Sequence, residues 1–256
     1  MKKILVIGEL CIDKFVYGEV KRLSPEAPVP VFNPIVTEEN RGMAGNVVEN
    51  IKELHSNCEV LHWHQSENII KTRYVDSKSN HMFIRIDDEN VPCDKINFLT
   101  PDQRKTISES DAVIISDYDK GFITKDLIKN IAAISKLTIL DSKKILDYST
   151  ISDVNFVKLN QTEYENNKDL CDSFKEKFII TKGKDGASWN GQEYGSPNPQ
   201  QTIDVSGAGD TFVSSFTLKY LISESINESI LFANEVCSDV VGKKGVSKPD
   251  DRYKLI

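Results

Sequence analysis

Short apolar runs alternate along the chain with stretches whose apolar residues recur at helical spacing. Ile4–Ile7, Ala112–Ser116, Thr138–Leu140, Phe156–Leu159 and Phe178–Thr181 read as strands buried on both faces. Asn46–Leu54, Pro101–Ser108, Thr124–Ile134, Gly209–Leu221 and Asn227–Val241 read as amphipathic helices. In Thr124–Ile134 the residues Leu127, Ile128, Ile131 and Ile134 share one face. Buried strands separated by helices predict an α/β protein, a three-layer sandwich around a mostly parallel central sheet.

Two stretches break this rhythm. Over 10–36, Phe15 and Tyr17 alternate with Val16, Gly18 supplies a turn, and Pro25, Pro28 and Pro30 forbid helix and favour edge-strand backbone. Thr72–Val75, a polar turn at Asp76–Asn80 and His81–Ile86 read as a β-hairpin. Together, about 11–36 and 72–86 predict a small β-sheet lid on the sandwich. No repeat, low-complexity tract or linker interrupts 1–256, which reads as a single domain.

With 32 basic and 39 acidic side chains the net charge is −7, which excludes a broad nucleic-acid footprint. Any bound phosphate must be held locally, by backbone amides and a few cations. The five scattered cysteines form no CxxC pair and read as reduced thiols. Lys2 and Lys3 resemble the front of a signal peptide, but the apolar run behind them stops at Gly8 and Glu9, which predicts a first strand. No run reaches the ~18 apolar residues of a membrane span. These features predict a soluble cytoplasmic protein without a membrane or nucleic-acid partner. His62-Trp63-His64, on a strand, puts two imidazoles on one face; without a carboxylate or cysteine at ligand spacing they read as a surface or core-edge pair.

The candidate chemistry centres on Asp204-Val205-Ser206-Gly207-Ala208-Gly209-Asp210, just ahead of a helix-like run. Gly207 and Gly209 let backbone approach a ligand, and the free N–H groups of the turn form an anion cradle at the helix start. Asp210 reads either as a helix cap or as a base that takes a proton from an incoming hydroxyl. Asn160-Gln161-Thr162-Glu163 follows a strand, where polar side chains face the crevice of an open α/β sheet. It reads either as a strand-end turn or as oxygen donors for phosphate-bound Mg2+.

The heptapeptide resembles the signature of the ribokinase-like, phosphofructokinase-B type carbohydrate kinases, with Ser206 keeping the hydroxyl of a threonine. Asn160-Gln161-Thr162-Glu163 is similar to that family's Asn-x-x-Glu motif. The resemblance implies Asp210 as catalytic base and Gly207, Ala208 and Gly209 as the anion hole. It implies ATP and Mg2+ as cofactors, with Asn160 and Glu163 on the cofactor side and Glu163 reaching the metal through water. Thr181-Lys182-Gly183 and Ala233-Asn234 resemble nucleotide-lining segments, so Thr181, Gly183 and Asn234 are expected at the nucleotide, as is Gly242-Lys243-Lys244-Gly245.

The N-terminal half, from Gly8-Glu9-Leu10-Cys11-Ile12-Asp13 through Arg22-Leu23-Ser24-Pro25-Glu26-Ala27-Pro28, resembles the D-glycero-β-D-manno-heptose 7-phosphate kinases. So do Lys71-Thr72-Arg73, Arg85-Ile86-Asp87 and Ser116-Asp117-Tyr118-Asp119-Lys120-Gly121. A heptose 7-phosphate, converted to the 1,7-bisphosphate, is therefore the expected substrate. Asp13, Gly42 and Asn46 are its expected sugar contacts, and Lys71, Arg73 and Arg85 its phosphate contacts. By their residue types alone, Asp13 also fits a turn, Asn46 a helix cap and the three cations a solvated hairpin face. The length leaves no room for the nucleotidyltransferase domain that some of those enzymes carry.

Three features depart from the family pattern. Glu9 stands where Asp is usual, a change expected to shift a sugar contact. Met43 replaces a glycine and is expected to crowd the sugar, and the chain is short after Leu54 and between Glu163 and Phe178. Two alternatives stay open: a kinase for a different sugar or nucleoside, and a catalytically weak relative that binds sugar phosphate or nucleotide. The apolar, proline-edged lid (Phe15, Tyr17, Val29, Val31, Phe32) predicts a homodimer joined through it.

Overall fold

The computed structural model describes residues 1–91, 94–197, 207–243 and 247–255. Asp204, Val205 and Ser206 of the glycine motif, Lys244 and Gly245 near the end, and Cys93 lie outside the described residues. The chain opens with β1 (Lys3–Gly8), β2 (Leu10–Leu23), β3 (Pro30–Met43), α1 (Ala44–Leu54), β4 (Glu59–Trp63), β5 (Ile69–Asp76) and β6 (Met82–Asp88). It continues with α2 (Pro101–Glu109), β7 (Ala112–Asp117), α3 (Lys125–Ala132), β8 (Thr138–Ser142), α4 (Tyr148–Ile151) and β9 (Phe156–Asn160). After α5 (Gln161–Asn166) and α6 (Lys168–Ser173) come β10 (Phe178–Thr181), β11 (Ala187–Trp189), β12 (Gln192–Tyr194), α7 (Ala208–Ser223) and α8 (Ile226–Val241).

The main sheet runs in the order β12-β11-β10-β9-β8-β7-β1-β4. Neighbours from β4 to β10 are parallel, and β11 and β12 close one edge as an antiparallel hairpin. The strands alternate in which layer they feed, as a pleat with period two requires. Ile4, Val6, Ala112 and Ile114 pack with α1, α7 and α8 through Val47, Ile51, Phe212, Phe216 and Ile230. Leu5, Ile7, Val113 and Ile115 pack on the other side with Ile107, Leu127, Ile128 and Ile131 of α2 and α3. The result is the three-layer sandwich that the apolar runs predict.

The lid is a separate sheet in the order β3-β2-β5-β6, with β2 and β5 parallel. Pro30 and Pro34 sit on its edge strand β3, where a missing N–H breaks no ladder. The lid extends beyond the expected 11–36 and 72–86, because β2 and β3 stay paired from Leu23↔Pro30 to Leu10↔Met43. β3 therefore delivers the chain directly into α1. The short stretch after Leu54 supplies the edge strand β4 but no further helix. No helix among the described residues is long and apolar enough to cross a membrane.

Candidate active site

The helix α7 starts from Gly207, whose φ of 80° lies in the left-handed region that favours glycine, and no side chain among the described residues caps it. The first amides of such a helix suit an anion, with the positive end of the helix dipole behind them. A β-carbon on Gly209 would come within 2.8 Å of the Lys158 ammonium, so glycine is required here for close approach.

Asp210 follows in the first turn of α7 and is buried. Its Oδ2 accepts a hydrogen bond from Asn46 Nδ2 at 3.0 Å, and its Oδ1 accepts one from the Tyr118 hydroxyl at 2.7 Å. Burial raises its pKa to about 6, although both hydrogen bonds and Lys158 favour the charged form. Of the two readings of Asp210, the cap is excluded by geometry: its carboxylate bonds to side chains of other elements. Asn46, likewise, lies inside the first turn of α1 rather than capping it, and its amide reaches across to Asp210.

Beside α7, a cavity of about 610 Å3 is lined by Lys158, Asn160, Thr181, Gly183, Ala208 and Gly209, with Lys184 and Ser238 among the remaining walls. The structure therefore brings Asn160, Thr181, Gly183 and the glycine turn together. Asn234 stays apart: it is buried, and its Nδ2 donates to the carbonyls of Tyr194 and Gly195 at 2.9 and 3.4 Å, tying β12 to α8. Asn160 and Glu163 form a capping box at the start of α5, in which the Asn160 N–H donates to Glu163 Oε2 at 2.7 Å. That leaves Oε1 of Glu163. Its carboxyl pKa is raised first by burial and further by the charge of Asp141. The free oxygen of Glu163 is a hard donor of the kind that fits water-mediated Mg2+.

On the lid side, Asp13 accepts a 2.5 Å hydrogen bond from Arg73 and a weak one from Cys11 Sγ, next to Gly42. The expected phosphate-binding cations are each matched by a carboxylate. Arg73 pairs with Asp13, Arg85 clamps Asp87 at 2.7 and 2.9 Å, and Lys71 lies 3.5 Å from Glu89. The register puts these groups on one lid face, with Lys71 opposite both Asp13 and Asp87; Arg73 then reaches Asp13 diagonally, while Arg85 takes Asp87 two residues along its own strand.

Glu9 does not reach a sugar contact. Its fully buried carboxylate gathers the backbone N–H groups of Tyr118, Lys120 and Phe122 at 2.9, 3.2 and 3.3 Å, holding the loop after β7 in place. Burial raises its pKa. Met43 is buried with φ 56° and ψ −136°, a conformation that favours glycine, and it packs with Cys11 and Ile69 under Tyr118. Tyr118, Lys158 and Asp141 are site residues that motif reading missed. Lys158 had a signal, being a lysine inside the otherwise apolar run Phe156–Leu159. It is buried and bonds both oxygens of Asp141 at 3.1 Å. Burial alone would depress its pKa, but Asp141 and Glu163 raise it above the ordinary value. His62 and His64 sit on the edge strand region with rings 4.7 Å apart, and no metal-ligating cluster occurs among the described residues.

A family profile described as pfkB family carbohydrate kinase matches residues 46–252. The chain belongs to this family. Among curated relatives, "Bifunctional protein HldE" of Helicobacter pylori strain J99 is 31% identical over 96% of this chain. The same-named protein of Desulfatibacillum aliphaticivorans is 30% identical over 97%. The chain spans only 64% and 61% of those proteins. Among solved structures, Arabidopsis thaliana ribokinase complexed with ribose and ATP superposes with a TM-score of 0.72 at 15% identity, covering 98% of this chain and 97% of that one. A nucleoside kinase of Methanocaldococcus jannaschii gives 0.63 at 20% identity, covering 96% and 93%. The fold is ribokinase-like, and residues 46–252 form a carbohydrate kinase domain of the pfkB family.

Proposed function

We propose that the protein phosphorylates a hydroxyl of a heptose 7-phosphate to give the 1,7-bisphosphate, with Asp210 as general base. The observation that carries this reading is the position of one buried carboxylate. Asp210 lies in the first turn of a glycine-begun helix whose Ala208 and Gly209 wall the 610 Å3 cavity, and its side chain bonds Asn46 at the root of the lid. ATP in that cavity would point its γ-phosphate at the amides of Gly207, Ala208 and Gly209. The sugar would lie between Asp13, Gly42, Asn46 and the lid cations. Asp210 takes the hydroxyl proton as the oxygen attacks in line, and the amides hold the charge that develops. Mg2+, when bound through water near Glu163, supplies further charge neutralisation on the phosphates. Thr181 and Gly183 would support the nucleotide directly, and Asn234 by fixing the wall formed at Tyr194 and Gly195.

The choice of heptose 7-phosphate is supported by the N-terminal motifs and by the HldE relatives. One observation favours a different, uncharged sugar or a nucleoside instead: Arg73, Arg85 and Lys71 already have carboxylate partners, which a substrate phosphate would have to displace. ADP release with heptose 7-phosphate, fructose 6-phosphate, ribose and a nucleoside separates these readings. We expect kcat/KM to be at least ten-fold higher for heptose 7-phosphate. A preference for ribose or the nucleoside would overturn the substrate assignment, and no turnover with any of them would favour a binding-only relative.

The lid also supports self-association. Ile35, Val36, Met82, Ile84 and Ile86 are between 49% and 64% exposed, a concentration of aliphatic surface that a second lid would cover. Light scattering at micromolar concentration should give twice 28.9 kDa; the monomer mass would overturn the dimer.

A further inference from the structure

We infer that Lys143 is a catalytic residue that carries the negative charge of the phosphoryl group during transfer, using the ring of Tyr118 as its seat; this rests on the kinase reading of Asp210. Lys143 follows the end of β8, and its Nζ stands 4.2 Å from the centroid of the Tyr118 ring. The hydroxyl of that same ring donates to Oδ1 of Asp210 at 2.7 Å. The ammonium is therefore one aromatic ring away from the base, on a surface whose π-face holds a cation without neutralising it.

What sets Lys143 apart is the lack of a counter-ion. Around it, Lys71 and Lys120 lie within 3.5 Å of Glu89, Lys144 bonds Asp117 and Asp119, and Lys158 is held by Asp141. Arg73 is held by Asp13. Lys143 alone in this group has no carboxylate within 4.0 Å among the described residues. The charges that act on it from further off are Glu163 on the cofactor side, Lys71 on the lid side, and Asp141 and Asp210 between them. It thus lies between the two halves of the cleft. The residue is exposed as a whole, and partial loss of water lowers its pKa. A cation on a long stem, with no carboxylate within 4.0 Å among the described residues, suits a group whose charge appears only in transit.

In the step itself, the bond from the phosphorus to the β,γ-bridging oxygen of ATP breaks and a bond to the sugar oxygen forms. The sugar proton passes to Asp210, and the products are ADP and the sugar phosphate. Lys158 is unsuited to follow the moving group because both oxygens of Asp141 hold it under Gly209. Lys143 has no such restraint.

The test compares wild type, Lys143→Met, Lys143→Arg, Tyr118→Phe and Asp210→Asn in steady-state ADP release, with calorimetric titration of ADP alone and of ADP with aluminium fluoride plus sugar. For Lys143→Met we expect kcat to fall about 100-fold, KM for ATP to stay within about three-fold, and ADP affinity to be unchanged. Affinity for the aluminium fluoride complex, which mimics the phosphoryl group in flight, should fall by a factor similar to that in kcat. Lys143→Arg should recover at least a tenth of the wild-type rate. Tyr118→Phe keeps the ring and should retain the aluminium fluoride affinity while the acid limb of its pH profile moves upward, because Asp210 loses a donor. A Lys143→Met enzyme with wild-type kcat, or one that loses ADP and aluminium fluoride binding equally, would overturn the assignment. If Asp210→Asn is inactive in the same series, only the Lys143 inference falls; if Asp210→Asn is active, the reading beneath it falls as well.

Discussion

Asp210→Asn is expected to leave a folded protein whose kcat is about 10³–10⁴-fold lower, with ATP affinity within a few-fold of wild type. The amide keeps the shape of the carboxyl group but cannot accept the sugar proton. Its nitrogen faces a former donor, and the Tyr118 hydroxyl can rotate to accept from it, so the loss should appear in turnover and not in stability. The pH profile gives a second readout. Because burial sets Asp210 near 6, its charged, proton-accepting form disappears as the pH falls through that value, and kcat/KM of the wild type should fall with it. The same raised pKa means that the folded state holds the proton more tightly than the unfolded chain. Protonation of Asp210 therefore favours folding over the interval from the ordinary carboxyl value of 3.8 up to about 6, so loss of rate there is not loss of fold. Steady-state assays from pH 5 to 8, with a melting curve at each pH, check both signs. A residual rate within ten-fold of wild type would remove Asp210 from the role of base.

Gly42→Ala should have the second largest effect, and on the sugar side. A β-carbon at Gly42 would overlap Asp13 Oδ2 and come within 2.6 Å of Cys11 Sγ. Asp13 cannot easily give way, since Arg73 holds its other oxygen at 2.5 Å and the pair is largely buried. The carboxylate must therefore turn or the lid strand must shift by a sizeable fraction of an ångström. Displacements of that order cost about 100-fold when they touch substrate positioning. We expect kcat/KM for the sugar to fall by about that factor while calorimetric ATP binding stays unchanged, because neither Gly42 nor Asp13 lines the cavity beside α7. Equal losses for sugar and ATP would place Asp13 and Gly42 outside the sugar site.

The two substitutions divide the site along the same line that separates legible from illegible features. The glycine turn, Asp210 and the Asn160–Glu163 pair are contiguous motifs, so residue type and spacing mark them as candidates, while the roles expected of them came from the family resemblance. The pairing of Arg73 with Asp13 was not legible, because it depends on which residues two strands set beside each other. Glu9 misled for a similar reason. A longer acid after the first strand suggested a displaced sugar contact, whereas the extra methylene lets its carboxylate collect three amides of a loop more than a hundred residues away. Asn234, expected at the nucleotide, fastens the backbone of Tyr194 and Gly195, a contact that spacing could not show.

By itself, the order of apolar runs and helical stretches determined the layered α/β sandwich, and the glycine-bounded aspartate marked the place of the candidate site, since both are local consequences of backbone geometry and side-chain type. Only the tertiary structure decided that Asp210 is gripped by Asn46 and Tyr118, that Lys158 is neutralised by Asp141, and that Lys143 has no carboxylate within 4.0 Å among the described residues. These outcomes depend on contacts between strands and helices far apart in the chain, where burial and charge are set by neighbours that no spacing rule can name.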